Sequence, residues 1–340
     1  MNFEFATATR IIYGSGKLAE AGQMVKGRAL VIIGKSARAV QHAEPLLRQL
    51  NEYATFSVAG EPTFDIVRAG TQRARDERCD CVIGFGGGSV IDTGKAIAML
   101  LTNGGDPLDY AEVIGAGKLV ANPSAPFIAI PTTAGTGAEV TRNAVLGSLE
   151  KRVKVSLRSP LMLPAVALVD PEISHASVAS RLDALTQLIE PLVSSKANPM
   201  TDAVCREGMR EWKEGNFALA AMFSGMALAN AGLGAVHGFA GPMGGMYEAP
   251  HGALCAALLP HVFAVNKRRA AQERFAEVER TVGDVGQLCQ ALAVPSLRMH
   301  GVRREDFPEI IEKASAASSM KSNPVNLTRA EMQEILENAF

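Results

Sequence analysis

This sequence contains few cysteines and carries almost no net charge. Its 340 residues carry a formal net charge of −1 and include five cysteines, Cys79, Cys81, Cys205, Cys255 and Cys289. Thiols so few and so scattered argue against a disulfide framework and suit a reducing compartment. The near-zero net charge provides no basic surface of the kind that nucleic acid or an anionic membrane attracts.

Long apolar runs and targeting signals are also missing from the pattern. No apolar run reaches the roughly 18 residues of a membrane-spanning helix. The first residues, Met-Asn-Phe-Glu-Phe, lack the basic start and the apolar stretch of a signal peptide, so we expect a cytoplasmic protein. Hydrophobic residues make up 47% and charged residues 20%, which is typical of a folded chain, and the length favours two domains.

The first half of the chain alternates short β-rich runs with helical stretches. Such alternation predicts an α/β domain with a doubly wound parallel sheet. The predicted strands are Arg28–Ile33, Cys81–Phe85, Phe127–Ile130 and Val166–Val169, and the predicted helices are Val40–Leu50 and Val90–Leu101.

From about Leu182 onward the β-branched runs vanish, and the composition predicts an all-α domain. We place the boundary near Asp170-Pro171, which gives domains 1–170 and 171–340. The predicted helices are Asp183–Ser194, Met200–Trp212, Phe217–Leu233, Cys255–Asn266, Ala271–Val282 and Asp306–Ala316.

Two glycine-rich stretches follow predicted strands of the first domain. The first is Gly86-Gly87-Gly88-Ser89, which leads into a helix carrying Asp92, and the second holds Thr132, Thr133 and Thr136. Glycines at a strand-to-helix turn let the backbone approach a pyrophosphate, and the helix N-terminus offers it free N–H groups. Either stretch alone is also consistent with a tight turn that binds nothing. Because ligands of open α/β sheets lie at the carboxyl ends of the strands, the two together predict a nucleotide site.

The second domain contains a candidate metal site. Asp183 and Gln187 are four residues apart, which places them on one face of a helix, and His237 and His251 flank a glycine-rich connection. Aspartate and histidine are competent ligands for a divalent transition metal that polarises a substrate oxygen. Two satisfied core histidines with an aspartate salt bridge are the alternative, which spacing alone favours.

Together these segments resemble the iron-containing alcohol dehydrogenase family, nearly from end to end. The resemblance implies a nucleotide-binding domain, a helical domain, an active site between them, and reversible hydride transfer between NAD(P)H and the carbonyl of a small aldehyde. The motifs that carry it are Gly86-Gly87-Gly88-Ser89-Val90-Ile91-Asp92, Pro131-Thr132-Thr133-Ala134-Gly135-Thr136-Gly137, Leu182-Asp183-Ala184-Leu185-Thr186, and His237 with Pro250-His251-Gly252.

In this family an aspartate and three histidines hold iron or zinc. By position, Asp183, His237 and His251 match three of these ligands, and the two histidines are the expected catalytic residues. Gln187 stands where the family has its remaining histidine, so Fe²⁺ or Zn²⁺ is expected to bind weakly, because an amide oxygen is a poorer donor than imidazole. Gly241 falls where many members carry a further histidine, and Glu190 is retained.

The resemblance also assigns cofactor contacts and an assembly. The expected contacts are Lys35, Gly86, Gly87, Gly88, Ser89, Asp92, Thr132, Thr133, Thr136 and Lys154. A homodimer that acts on a small alcohol or aldehyde is implied. Two stretches, between Glu172 and Leu182 and between Arg210 and Phe217, look shorter than in the family, where a loop and a helix normally occupy these places.

The choice between NAD and NADP depends on the end of the strand Arg28–Ile33. Sites that select NAD usually place a carboxylate at the end of the second strand, on the ribose 2′-hydroxyl. Here Gly34-Lys35-Ser36 follow that strand and offer no carboxylate. We therefore expect NADP(H) to be accepted at least as well as NAD(H), unless Lys35 is only a solvated loop residue.

Two other functions remain open at this stage. A maleylacetate reductase-like enzyme, which works without a required metal, would tolerate Gln187, and its N-terminus resembles Met-Asn-Phe-Glu-Phe-Ala-Thr. A nucleotide-binding protein that has lost catalysis would also tolerate Gln187 and Gly241. Glycerol dehydrogenases and dehydroquinate synthases share the expected architecture but match the motifs less well.

Overall fold

The computed structural model describes residues 2–148, 150–151 and 153–340. The chain forms two compact units. One is Ala6–His175, and the other is Ala176–Phe340 together with the N-terminal segment up to Phe5.

The first unit is built on a parallel sheet with helices on both faces. Its helices are α1 (Ala37–Leu47), α2 (Phe64–Asp76), α3 (Gly88–Asn103) and the short α4 (Pro107–Tyr110). Its strands are β1 (Arg10–Tyr13), β2 (Ala29–Gly34), β3 (Tyr53–Val58), β4 (Cys81–Gly86), β5 (Phe127–Pro131), β6 (Asn143–Ser148), β7 (Val153–Arg158) and β8 (Val166–Val169).

The strand order in the main sheet is β1-β8-β5-β4-β2-β3, and each pairing is parallel. The central strands β4 and β5 are buried along their whole length, as expected for a sheet covered on both faces. The predicted α/β fold with a parallel sheet is therefore confirmed. The sequence did not predict β1 and β3, which are the two edge strands of this sheet and lack a continuous buried apolar run, nor did it predict β6 and β7.

Register places the two glycine-rich stretches side by side. In the pairing of β4 with β5, Phe85 lies opposite Ile130 and Gly86 lies opposite Pro131. Both strands therefore end at the same level of the sheet, and the residues that follow them emerge together at its carboxyl edge.

An antiparallel hairpin, β6–β7, is attached to α3 by a buried lysine that the sequence did not single out. Lys95 lies on α3, and its Nζ donates to Thr141 Oγ1 at 2.9 Å, Ala138 O at 3.0 Å and Asn143 O. The same ammonium pairs with Asp92 Oδ1 at 2.9 Å. Several acceptors thus satisfy one buried cation and fix the hairpin to the helix.

The second unit is helical in its described residues. Its helices are α5 (Val178–Val193), α6 (Pro199–Glu214), α7 (Phe217–Ala231), α8 (Ala235–Met246), α9 (His251–Arg269), α10 (Gln272–Val282), α11 (Val285–Ala291), α12 (Phe307–Ala316) and α13 (Arg329–Ala339). The predicted helical character of this half is confirmed. Side-chain caps define several of the starts; for example, Ser177 Oγ accepts from Ser180 N at the start of α5.

The expectation of a glycine-rich connection between His237 and His251 is wrong. Most of that stretch is α8, which contains Pro242 and several glycines, and only the residues from Tyr247 to Pro250 are irregular. Helix α8 is buried over Ala235–Ala240, where packing outweighs the poor helix propensity of glycine.

The two stretches that look short relative to the family are compact in the structure. Helix α5 begins at Val178, soon after β8, and α6 is joined to α7 by Gly215 and Asn216 alone. Gly215 has a φ of 89°, a left-handed conformation that ends α6 and turns the chain.

The described helices differ from membrane spans in length and composition, with one bent pair as the exception. No individual helix among them is both long and apolar enough to cross a bilayer, whereas the pair α7 and α8, bent by 99° at its break, passes on length and composition.

Replacing Lys95 tests the attachment of the hairpin. Lys95→Met should lower the free energy of unfolding by about 3–5 kcal/mol, because it leaves Asp92 and several buried carbonyls without their cation. Urea unfolding followed by circular dichroism measures the effect. Lys26→Met, at an exposed position before β2, is the matched control and should change stability little; equal effects of the two substitutions would contradict the assignment.

Candidate active site

The cofactor candidates of the first unit meet at the carboxyl ends of β4 and β5. A Cβ built on Gly87 would lie 3.1 Å from Thr133 Oγ1, and one built on Gly88 would lie 3.0 Å from Thr136 Oγ1. The glycines are thus required for close approach between the two loops. Helix α3 begins at Gly88, and no described side chain caps its N-terminus, so its first N–H groups are available to an anion.

The remaining cofactor candidates have more varied surroundings. Thr132 N donates to Gly86 O at 2.9 Å, which ties the second loop to the first, and Ser89 is partly exposed on the first turn of α3. Asp92 accepts a hydrogen bond from Val145 N at 3.0 Å besides its ion pair with Lys95, so its carboxylate supports the hairpin. Lys154 lies on β7 and pairs with Glu61 at 3.1 Å.

Lys35 lies where the sequence predicted selection of the cofactor. It directly follows β2, the neighbour of β4 in the sheet, and its side chain is exposed. Helix α1 starts next to it with Ser36 Oγ accepting from Ala39 N, and Arg38 is also exposed there. The residues that follow β2 are therefore positively charged, and none of Gly34–Ser36 carries a carboxylate.

Burial changes the protonation of one acid in this region. Glu139 follows the threonine-rich loop and is almost completely buried. Desolvation raises its pKa to about 7, although the neighbouring Lys95 ammonium opposes this shift. Burial therefore favours the neutral form of this carboxyl, which lies just after the threonine-rich loop.

The metal candidates of the second unit come from three packed helices. Helix α5 carries Asp183 and Gln187, α8 carries His237, and α9 begins at His251. Close packing of α9 on α5 requires Gly252, because a Cβ there would lie 2.8 Å from Ala179 O and 3.3 Å from Asp183 Cβ. The rings of His237 and His251 have their centroids 5.4 Å apart.

A second carboxylate of α5 orients the imidazole of His237. Glu190 Oε2 accepts a hydrogen bond from His237 Nδ1 at 2.6 Å, and Glu190 Oε1 accepts from Val236 N at 2.7 Å. With Nδ1 committed to Glu190, Nε2 faces Asp183 Oδ1 at 3.5 Å. This is the arrangement in which a carboxylate fixes the tautomer of a metal-binding histidine.

The atoms that face each other in this cluster are not satisfied. Among the described residues, neither Asp183 Oδ1 nor His237 Nε2 has a hydrogen-bond partner, although Asp183 is 2% exposed and His237 6%. A buried polar atom left without a partner costs roughly 1–3 kcal/mol. With a protonated imidazole the 3.5 Å contact is a histidine–aspartate ion pair, which is the alternative reading of these residues, whereas a metal ion bound by Asp183 Oδ1 and His237 Nε2 would satisfy both atoms directly.

Cys255 is a member of the cluster that sequence reasoning missed. Asp183, His237, His251 and Cys255 each place one potential ligand atom within 4.8 Å of the others. Cys255 follows His251 by four residues on α9, the spacing that puts two side chains on one helix face, and that spacing was the available signal. Gln187 has a different neighbour, since its Oε1 lies 2.9 Å from the hydroxyl of Ser224 on α7.

Electrostatics within the cluster favour a proton on His237. Burial lowers the pKa of this histidine, but the neighbouring Cys255, Glu190 and Asp183 outweigh it and hold the pKa well above its ordinary value. Burial has the opposite effect on the acid Asp183, whose pKa it raises. The contacts of Asp183 with His237 and His251 outweigh burial, and the pKa of Asp183 is lowered. A metal ion therefore competes with a proton here, and its affinity should fall in acid.

Comparison with known proteins gives matches over the whole chain. Residues 8–171 match the family model described as iron-containing alcohol dehydrogenase, and residues 210–340 match the Fe-containing alcohol dehydrogenase family, C-terminal. The 1,3-propanediol dehydrogenase of Citrobacter freundii is 31% identical over 388 positions that cover 99% of each chain. Alcohol dehydrogenase 4 of Saccharomyces cerevisiae is 33% identical over 372 positions, covering 96% of each.

The alignment with the Citrobacter protein is longer than this chain of 340 residues, so that relative has internal segments that are missing here. This agrees in direction with the two short stretches predicted from the sequence. A solved structure, the crystal structure of a 1,3-propanediol oxidoreductase, superposes with a TM-score of 0.91 at 30% identity and 100% coverage of both chains. The chain therefore belongs to the iron-containing alcohol dehydrogenase family and is an NAD(P)-dependent alcohol oxidoreductase.

Proposed function

We propose that this protein interconverts small alcohols and aldehydes, with substrate oxygen bound at the Asp183 cluster and NAD(P) phosphates bound at the glycine-rich loops. The observation that carries this proposal is a pair of buried potential metal-ligand atoms, Asp183 Oδ1 and His237 Nε2. Neither has a hydrogen-bond partner among the described residues, and both lie close to His251. In the oxidative direction the alcohol carbon gives a hydride to the nicotinamide and the hydroxyl loses a proton.

The donor set suits a divalent metal of the iron or zinc class. Asp183, His237 and His251 would hold it, and the bound ion would polarise the oxygen of the alcohol or aldehyde. Glu190 is the positioning residue of this site, because its two oxygens hold the ring of His237 and the first turn of α8 together. The carboxylate of Asp183 supplies negative charge opposite the ion, which offsets the cost of burying it.

The unit Ala6–His175 is proposed as the NAD(P)-binding domain, and Ala176–Phe340 as the metal and substrate domain. In the first, the N-terminus of α3 and the hydroxyls of Thr133 and Thr136 would receive the pyrophosphate. Thr133 is an exposed residue and Thr136 is partly exposed, which supports their assignment to a ligand site.

Space beside the cluster also bears on the choice of substrate. A Cβ at Gly241, one helical turn after His237, would have no described atom within 4 Å. A histidine at that position in related proteins would fill this space, so we propose that its absence leaves room for a larger aldehyde.

A homodimer in the cytoplasm is the proposed assembly and location. The family supports the first, and the five free cysteines suit the second. Sedimentation equilibrium of the purified protein tests the dimer.

The experiment that tests the reaction is an NAD(P)H oxidation screen over aliphatic aldehydes, hydroxyaldehydes and keto acids, with and without added Zn²⁺ or Fe²⁺. Metal-dependent turnover of aldehydes supports the proposal. Turnover of an unsaturated keto acid that survives complete chelation would instead favour the maleylacetate reductase-like alternative.

Replacing Gly88 tests the first part of this proposal, the pyrophosphate loop. Gly88→Val should raise the dissociation constant for NAD(P)H about tenfold or more, because even a Cβ at this position presses on Thr136 and fills the space for the phosphate. Quenching of protein fluorescence by the cofactor measures binding. Gly147→Val on β6, where a Cβ makes an ordinary 3.6 Å contact, is the control; unchanged cofactor binding in folded Gly88→Val would remove this loop from the site.

The second prediction concerns the ribose phosphate. NADPH should support at least the same kcat/KM as NADH, and Lys35→Glu should shift the ratio towards NADH by placing a carboxylate beside the 2′-phosphate. Lys26→Glu, at the opposite end of β2, should leave the ratio unchanged. A hundredfold preference of the parent for NADH would overturn this assignment.

The third prediction concerns Glu190. A glutamine retains one acceptor oxygen, so Glu190→Gln leaves either His237 Nδ1 or Val236 N facing an amide NH₂. Metal affinity and kcat should fall by about 10–100-fold, while the dissociation constant for NAD(P)H stays the same. Chelator competition and cofactor titration measure the two. The control is Glu214→Gln at an exposed ion pair on α6; equal metal affinity in both variants would contradict the positioning role.

A further inference from the structure

We infer that Cys255, rather than Gln187, provides the fourth ligand at the Asp183 cluster, and that the resulting Asp-His-His-Cys set selects zinc over ferrous iron. The inference rests on the proposed function in that it concerns the same site. It departs from the ligand set expected from sequence, in which the amide of Gln187 replaces an imidazole.

Helix geometry directs the thiol into the cluster. His251 and Cys255 occupy positions i and i+4 of α9, one turn apart on the same face. Their ligand atoms, His251 Nε2 and Cys255 Sγ, are 3.6 Å apart. Cys255 is completely buried, so its thiol is held within the cluster and away from bulk solvent.

Two separations within the cluster match those of a tetrahedral zinc site, and all four ligand atoms lie within 4.8 Å of one another. Zinc binds oxygen, nitrogen and sulfur ligands at about 2.0–2.3 Å, and the edge of a tetrahedron is about 1.6 times its centre-to-vertex distance, so neighbouring ligands lie roughly 3.3–3.8 Å apart. The pair His237 Nε2 and Asp183 Oδ1 is separated by 3.5 Å. The pair His251 Nε2 and Cys255 Sγ, at 3.6 Å, falls in the same interval.

Two further observations point to a ligand here. Asp183 Oδ1 and His237 Nε2 are buried and have no hydrogen-bond partner in the described part of the chain, and their mutual separation of 3.5 Å is longer than an ordinary hydrogen bond. Gln187 instead contacts the buried hydroxyl of Ser224, and moving its oxygen onto a metal would break that contact.

The chemistry of sulfur decides the class of metal. A thiolate is a soft, charged donor that favours zinc over harder divalent ions, whereas a neutral amide oxygen is a weak donor. On binding, the thiol transfers its proton to water, and the set Asp⁻, Cys⁻, His, His neutralises the charge of one Zn²⁺. No oxidation or reduction of the protein is involved.

Cobalt(II) is the probe that tests this inference. A thiolate bound to Co²⁺ gives an intense ligand-to-metal charge-transfer band that nitrogen and oxygen ligands do not give. Titration of the metal-free full-length protein with Co²⁺ should produce this band with one equivalent, and Zn²⁺ should displace the cobalt stoichiometrically. Cys255→Ser should lose the band. It should also weaken Zn²⁺ binding by at least about 10–100-fold, the loss that follows when only a hydrogen-bond partner of a metal ligand is removed. Chelator competition measures the zinc affinity.

Two control variants separate the alternatives. Cys205→Ser, at another completely buried cysteine of the same unit, should keep the band and the parent's zinc affinity. Gln187→Ala should lower zinc affinity less than tenfold. A band that persists in Cys255→Ser, or a larger loss in Gln187→Ala than in Cys255→Ser, would overturn the inference.

Aldehyde reduction is measured on the same preparations. Turnover in a parent protein that shows no thiolate band would reject Cys255 as a ligand and leave the proposed function intact. A thiolate band in a parent that reduces no aldehyde would support the ligand and reject the proposed function.

Discussion

The burial of polar side chains that can bind a metal, where α5, α8 and α9 pack together, is the constraint on which the helical unit depends. Glu190 reaches both His237 Nδ1 and the start of α8, so the same carboxylate that orients the imidazole also fixes the helix that carries it. Gly252 lets α9 approach α5 closely enough for His251 and Cys255 to face Asp183. Asp183 Oδ1 and His237 Nε2 lack a hydrogen-bond partner among the described residues, so a metal ion bound by both atoms would offset the cost of burying them.

In the α/β unit the corresponding buried charge is the ammonium of Lys95, which supports the region around the two glycine-rich loops. Register at the ends of β4 and β5 brings two loops together, and small residues in one loop leave space for the hydroxyls of the other. Lys95 then fixes the hairpin β6–β7 to α3 from inside the core, with Asp92 as its anionic partner. The proposed site for the phosphates therefore consists mostly of backbone and hydroxyl groups, whereas the charged side chains Asp92 and Lys95 fix the neighbouring hairpin to α3.

Sequence alone predicted much of this architecture, because the strands of the parallel sheet are continuous buried apolar runs. Val166–Val169 was predicted with its observed bounds, and six helices of the second half were predicted with ends that differ by up to five residues, whereas α8, α11 and α13 were not predicted. Helix α8 was missed because its glycines and Pro242 oppose helix formation locally, and only packing within the helical unit stabilises it. Asp183 was singled out by its position on a helix face, whereas Cys255 was overlooked despite its i, i+4 spacing from His251, because a cysteine among Ala and Leu residues looks like an ordinary core residue.

The central claim is that the Asp183 cluster holds a single divalent metal through side chains of three helices. The most direct measurement is an anomalous difference map, collected on both sides of the zinc absorption edge, from crystals of the protein prepared with one equivalent of Zn²⁺. The account predicts one strong peak about 2.0–2.3 Å from the ligand atoms of Asp183, His237, His251 and Cys255. A map with no peak at these residues, or with zinc bound only at the protein surface, would contradict it.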